Sequence, residues 1–244
     1  MMDFQITRGK QERAQKVLIY GQHGVGKTTF AACFPDAVFI DTEGGTAEFD
    51  VARLPAPTSW EMFLSELQWV GTNCAGGTVV VDSIDWAENM CTTYVCNQKG
   101  WADIESPGYG KGYVAIKDEF RNLLRWFDWL QGMAVNVVVV AHEQITTITA
   151  PGDAVGYSVH GLKLSKHVAP LLMEWADAVL YCHFKTTVLS DGKNKAHAIG
   201  GTERVIQTTH TATIDAKNRW GLDGEIPMDY KQIAGFIPGS KEGE

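Results

Sequence analysis

Gly21-Gln22-His23-Gly24-Val25-Gly26-Lys27-Thr28 follows directly on the β-branched run Val17 to Tyr20 and opens a helical stretch at residues 27–34. This spacing, G-x-x-x-x-G-K-[ST] between a strand and a helix, is that of a phosphate-binding loop. The glycines let the backbone curl until its N–H groups converge on a β-phosphate, and the start of the helix adds its positive end. Lys27 reaches the β- and γ-phosphates, the Thr28 hydroxyl is placed to ligate Mg²⁺, and Thr29 completes the contact with the nucleotide.

Outward from this loop, apolar runs recur at Ala37 to Asp41, Thr78 to Asp82, Val135 to Ala141, Ala178 to Phe184 and Arg204 to Thr209, which read as buried strands. Helical stretches fall between them at residues 60–70, 84–97 and 114–130, with 162–175 also showing an apolar face. The first of these is expected to open on the capping box Thr58-x-x-Glu61 and to stop at Gly71. Strand alternating with helix predicts an α/β fold, a mostly parallel sheet flanked by helices. From about residue 178 the pattern becomes strand, turn (Asp191-Gly192), strand, turn (Gly200-Gly201), strand, which predicts an antiparallel β-hairpin extension. The organisation expected is an N-terminal segment at 1–14, a core at 15–185, and an extension with tail at 186–244. In the first segment Phe4 and Ile6 alternate with polar residues, so Met2 to Thr7 is either a strand added to a neighbouring subunit or a disordered start.

Two carboxylates complement the loop. Thr78-Val79-Val80-Val81-Asp82 is an apolar strand ending in an acid, which places Asp82 opposite Thr28 as the second group around the magnesium. Hydrolysis also needs a group that orients water, and the strand between the two motifs runs Phe39-Ile40-Asp41-Thr42-Glu43-Gly44-Gly45. The string Ile-Asp-Thr-Glu-Gly resembles the RecA-like recombinases, particularly their archaeal and eukaryotic branch. By that resemblance the chain has a RecA-like P-loop NTPase core, uses ATP and Mg²⁺, and carries Glu43 as catalytic base. A carboxylate on a strand beside the P-loop strand would suit this role. The alternatives are that Glu43 merely occupies a glycine-rich turn, or that Asp41 holds an acceptor hydroxyl as in a small-molecule kinase.

The resemblance extends to the fourth strand, which ends His142-Glu143-Gln144 where RecA-like proteins carry a γ-phosphate sensor. The family more often has Asn-Gln there, so the role is divided among these three, with His142 foremost. A polar strand cap is the plain alternative. The stretch that follows, Thr146 to Lys166, corresponds to a loop that contacts single-stranded DNA, with Lys163 and Lys166 for phosphates and Tyr157 for stacking on a base. An earlier segment, Pro107 to Tyr113 with Lys111, is a first DNA loop, a subunit contact or a helix-entry turn. Trp126 and Trp129 on the following helix fit core packing better than stacking. Finally, Ile214-Asp215-Ala216-Lys217-Asn218-Arg219-Trp220-Gly221-Leu222 resembles a segment of short, phage-encoded RecA-like ATPases, including the ATP-dependent single-strand annealing group. There Lys217 or Arg219 would act on a neighbour's γ-phosphate in a homo-oligomeric ring or filament, or would form a surface salt bridge.

Composition bounds these readings. Five cysteines with no C-x-x-C pair give neither a disulfide framework nor a zinc site, so a reducing cytoplasm, that of a bacterial host if phage encoded, is expected. No apolar run approaches the roughly 20 residues of a membrane span. The formal net charge of -8 argues against a protein that coats nucleic acid by being basic. Yet residues 36–92 alone carry -9, around the expected metal site, while residues 154–173 hold no acid at all. The expectation is a single-stranded-DNA-binding ATPase of annealing or strand exchange, with a single-strand-binding protein as a further partner. It would be a bare core without the N-terminal DNA-binding domain of larger recombinases. Its rivals are a P-loop kinase, disfavoured by the lack of an arginine-rich lid, and a nucleotide-switched assembly module.

Overall fold

The computed structural model describes residues 6–149, 156–190 and 196–240. Ten strands form one sheet system. They are β1 (Lys16–Gly21), β2 (Ala37–Asp41), β3 (Ala52–Arg53), β4 (Thr78–Asp82), β5 (Asn136–Ile148), β6 (Tyr157–Leu162), β7 (Ala178–Ser190), β8 (Ala196–Gln207), β9 (Lys217–Asn218) and β10 (Glu225–Pro227). The helices are α1 (Lys27–Ala31), α2 (Trp60–Asn73), α3 (Ile84–Lys99), α4 (Lys111–Gly132) and α5 (Ala169–Trp175). The order across the sheet is β10-β8-β7-β1-β5-β4-β2-β3. Every pair from β3 to β7 is parallel, and β7 with β8 and β8 with β10 are antiparallel. The α/β expectation with its antiparallel extension is therefore met.

Alternation along the strands sends side chains to two cores. Leu18, Tyr20, Val79, Val81, Val137 and Val139 pack against the α2 to α5 layer, where Trp60, Phe63, Phe120 and Phe127 are fully buried. Val17, Ile19, Val80, Val138 and Val140 pack on the other face against Phe30 and Phe34, closed by Ile233 and Ile237 of the C-terminal segment. A run of β-branched residues with no polar position, such as Val137 to Val140, is what a strand covered on both faces requires.

Several local expectations are corrected. β2 does not lie beside the P-loop strand, since β5 and β4 stand between them. α1 ends at Ala31 rather than residue 34, so with about one turn of helix its dipole is a minor contributor. α2 is capped by Ser59, whose hydroxyl accepts from Met62 N, and it passes through Gly71 to Asn73. Gly71 is there for contact, because a Cβ would collide with the Trp129 ring of α4. Trp129 thus reaches the α2–α4 interface while remaining 36% exposed. In the segment after the fourth strand, residues 146–148 and 157–162 are strand rather than loop. β5 continues to Ile148 and pairs antiparallel with β6, from Glu143↔Leu162 to Ile148↔Tyr157. The helix expected at 162–175 shortens to α5, since Leu162 belongs to β6, residues 163–168 form turns, and helix begins only at Ala169 with Pro170 in its first turn. Gly200 and Gly201 lie within β8, near the irregularity between Phe184 and Thr186, rather than in a turn. The Asp191-Gly192 turn and residues 1–5 of the N-terminal segment lie outside the described residues, and Ile6 is 88% exposed.

Candidate active site

Parallel strands end together, and their carboxyl ends are where a doubly covered sheet leaves room for a ligand. The register sets Gly21 level with His142 on one side and Cys182 on the other, and Asp82 level with Asp41. The loop Gly21, Gln22, His23, Gly24, Val25, Gly26 leaves this edge and delivers Lys27 and Thr28 to it. Gly21 has φ +152° and passes so close to the Cys182 carbonyl that a Cβ has no space. Gly24 and Gly26 take φ +73° and +100°, the left-handed region that costs glycine nothing.

The buried Lys27 ammonium donates to the carbonyls of Gly21 and Gln22, each at 3.0 Å. Burial pushes it below the usual lysine range, opposed by the nearby Asp82 carboxylate. Thr28 Oγ1 donates to Asp82 Oδ2 at 2.6 Å. Burial raises the Asp82 carboxyl, with the Glu43 and Asp41 charges adding to it and the Thr28 bond opposing. A hydroxyl and a carboxylate in contact, crowded by negative charge, form a hard oxygen donor set that fits Mg²⁺. Among the described residues no group of three or more His, Cys, Asp and Glu could hold a metal alone.

Asp41 organises the turn that carries Glu43. Its Oδ1 accepts the N–H groups of Glu43, Gly44 and Gly45 at 3.1, 2.7 and 3.2 Å, and its Oδ2 accepts from Thr46 N and Oγ1. Burial works to raise this carboxyl, but the bonds from Thr46, Gly44 and Glu43 hold it below the usual range. With both oxygens so occupied, Asp41 has no lone pair directed at an acceptor hydroxyl. Glu43 itself is free to face the cavity. It lines a 360 Å³ space together with Lys27, Thr28, Asp82 and His142, and its Oε2 receives Ser83 Oγ at 3.4 Å.

His142 is buried between two carboxylates. Its Nδ1 lies 2.9 Å from Asp85 Oδ2, and its backbone N–H donates to Asp85 Oδ1 at 3.2 Å. Nε2 points at Glu43 Oε2, 3.7 Å away. The carboxylate acceptor at Nδ1 assigns the proton to that nitrogen. The His23 ring stacks on His142 with centroids 4.2 Å apart. Desolvation, then the nearby His142, Lys27 and Lys163, lower the His23 pKa. Glu143, one residue on, faces the opposite way. Its Oε2 accepts from Tyr181 OH at 2.7 Å and lies 3.0 Å from His160 Nδ1 at the root of the β5–β6 hairpin. Gln144 is exposed in the ladder opposite Gly161. Of the three sensor candidates, only His142 touches the nucleotide cavity.

Two residues escaped sequence reading. Asp85 looked like one more acid in the first turn of a helix, and nothing in the chain signals that it holds His142. Arg204, on β8 and far away in sequence, comes over the loop so closely that a Cβ on Gly26 would meet its Nη1 at 2.9 Å. The remaining candidates lie elsewhere. Lys163 and Lys166 are exposed after β6, with Lys163 N bonded to His142 O at 2.9 Å. Tyr157 sits at the far end of the hairpin ladder, 40% exposed, and Lys111 is exposed at the start of α4. Lys217 and Arg219 lie at the opposite end of the sheet, where β9 pairs with the beginning of β7. There Lys217 donates to the Glu174 carbonyl, and Arg219 shares the buried Asp177 carboxylate with Arg13.

A family model described as an AAA domain matches residues 13–220. Comparison with curated proteins gives no match. Among the described residues no helix is long and apolar enough to cross a membrane.

Proposed function

The chain belongs to the AAA domain family, a group of nucleotide hydrolases with P-loops, and from that premise we propose that it hydrolyses ATP to ADP and phosphate with Glu43 as the base that takes the water proton. The observation that carries this reading is the Glu43 carboxylate. It faces the phosphate cavity, is held by the Asp41-clamped turn, and has Ser83 and His142 as neighbours. Lys27 and the loop N–H groups place the terminal phosphates, and Lys27 exchanges its two carbonyl acceptors for phosphate oxygens. Thr28 and Asp82 would hold Mg²⁺, whose chemistry when bound is to neutralise charge on the β- and γ-phosphates. Glu43 orients the attacking water and accepts its proton. His142, fixed by Asp85, sets the position of Glu43 and stands beside the phosphate that leaves.

The finer reading is a recombinase-like role on single-stranded DNA, annealing or strand exchange, in a homo-oligomer. It is supported by the β5–β6 hairpin, which grows from the same strand as His142 and displays Ile145, Ile148 and Tyr157 at 57%, 44% and 40% exposure, with Lys163 and Lys166 at its base. Apolar and aromatic groups beside lysines suit stacked bases and phosphates. The kinase reading is weakened by the engaged Asp41.

The test is ATP turnover titrated with single- and double-stranded DNA, with Lys27→Ala as the inactive control. Stimulation by single strands, reduced in Lys163→Ala/Lys166→Ala with a salt slope smaller by about 2, is expected. A flat response to both DNAs sinks the DNA reading. Turnover that persists in Lys27→Ala sinks the site assignment.

A further inference from the structure

A second cavity, of 590 Å³, opens beside the phosphate site. The two share Gly26, Thr29 and Arg204, so they form one groove that bends around the first turn of α1. The phosphate half is polar and closed at its end by Lys27, Thr28 and Asp82. A triphosphate whose terminal groups lie on Lys27 therefore carries the rest of the molecule past Gly26 and Arg204 into the second half.

That half has the wrong chemistry for more phosphate and the right chemistry for a base. Phe30 and Phe34 make an aromatic floor, and the Tyr230 ring closes on it at 5.0 Å from Phe34 and 6.3 Å from Phe30. Tyr230 is held by a 2.7 Å bond between its hydroxyl and Ser240. Asp229 and Lys231 bring polar groups to the rim, as ribose hydroxyls and ring nitrogens require. The volume lies within the roughly 300–1,000 Å³ of small-molecule sites, which pair apolar walls with a few polar groups. Six of the fourteen residues of this wall, Met228 to Lys231 with Gly239 and Ser240, lie beyond 220, where the family match ends.

We propose that the groove between α1 and residues 228–240 is the nucleoside subsite, taking the base and ribose of ATP against Tyr230, with Arg204 at the junction on the inner phosphates. The proposal rests on the reading that the P-loop binds ATP. It makes the C-terminal segment part of the substrate site rather than an appendage to the sheet.

Cys33 supplies a reporter. It lines the groove and is exposed, whereas Cys74 is half-buried and Cys91, Cys96 and Cys182 are buried. Burial, and then the Asp229 carboxylate, push its thiol up, so labelling is run at mildly alkaline pH. On the full chain with Mg²⁺, ATP and tripolyphosphate are compared for affinity and for their effect on Cys33 alkylation. ATP is expected to slow alkylation about tenfold and saturating tripolyphosphate to leave it unchanged. Tyr230→Ala is expected to weaken ATP about tenfold and tripolyphosphate less than twofold. Where that variant does not fold, the alkylation arm on the unaltered chain decides. If both ligands bind and affect Cys33 equally, whether both protect or neither does, the subsite is refuted while the P-loop reading stands. If neither binds, the P-loop reading itself fails and the subsite falls with it.

Discussion

Asp85→Asn isolates the positioning of His142 from the rest of the site. Asparagine keeps the shape and can still accept the His142 backbone N–H, but its amide nitrogen confronts the imidazole Nδ1–H that now lies 2.9 Å from a carboxylate oxygen. The ring must lose that bond or move its proton to Nε2, the nitrogen facing Glu43. A hydrogen bond to a charged group contributes about 1.5–3 kcal/mol net. Taking about 2 kcal/mol, the melting temperature should fall by roughly 4–8 °C at this chain length. If the same free energy is expressed in the transition state, turnover should fall about 30-fold. KM for ATP should change less than about threefold, since Asp85 does not line the phosphate cavity. Steady-state kinetics separate kcat from KM, and nitrogen NMR of His142 reads the tautomer directly. The reasoning is refuted if Asp85→Asn melts lower but keeps kcat within twofold of the parent, which would make the pair a structural tie alone. Acidification gives a sign check. The His142 contacts hold the Asp85 carboxyl below its ordinary value against the pull of burial. Its stabilising contribution is thus complete at neutral pH and is lost only as pH falls below about 3.8.

Three further outcomes are expected. Glu43→Gln should cost about 10²–10⁴ in turnover with ATP affinity retained, and calorimetric binding beside a phosphate-release assay would expose a base that is dispensable. Glu66 has both carboxylate oxygens buried without a partner, and burial raises its pKa to about 7. The folded state therefore binds more protons than the unfolded one between about pH 4.5 and 7, and stability declines as pH rises across that window. Glu66→Met should gain roughly 3 kcal/mol more at pH 8 than at pH 4; equal gains at both pH values in urea titrations would contradict this. Gly71→Ala should cost about 1–3 kcal/mol by driving a methyl into Trp129 while leaving ATP affinity unchanged, and an unaltered unfolding midpoint would show that α2 and α4 are less tightly packed than drawn.

Legibility in the sequence followed the range of the interactions. The loop from Gly21 to Thr28 and the run Thr78 to Asp82 were readable because motif spacing and apolar periodicity are local, and both ended at the sheet edge they implied. Glu43 was found through a motif although its strand lies two places farther from β1 than supposed, because a strand's position across a sheet leaves no mark on its own residues. The β5–β6 hairpin was missed since its half-exposed strands carry threonine, serine and histidine where a core strand would carry valine. Asp85, Arg204 and the Tyr230 wall depend on contacts between residues far apart in the chain. A single sequence has no signal for these. Arg219 shows the converse, a basic residue conspicuous in sequence that the fold ties to the buried Asp177.

The place of β1 between β5 and β7 also sets a timetable for biogenesis. Val17 to Tyr20 leave the ribosome well before both of their hydrogen-bonding neighbours, which come from residues 136 onward and 178 onward. At roughly 5–20 residues per second, this apolar strand waits on the order of 10–30 s before either edge can be fully paired. Nascent chains stalled before residue 178 should consequently be chaperone clients, and a truncated product ending there would leave the phosphate-loop strand open on one side as a template for aggregation.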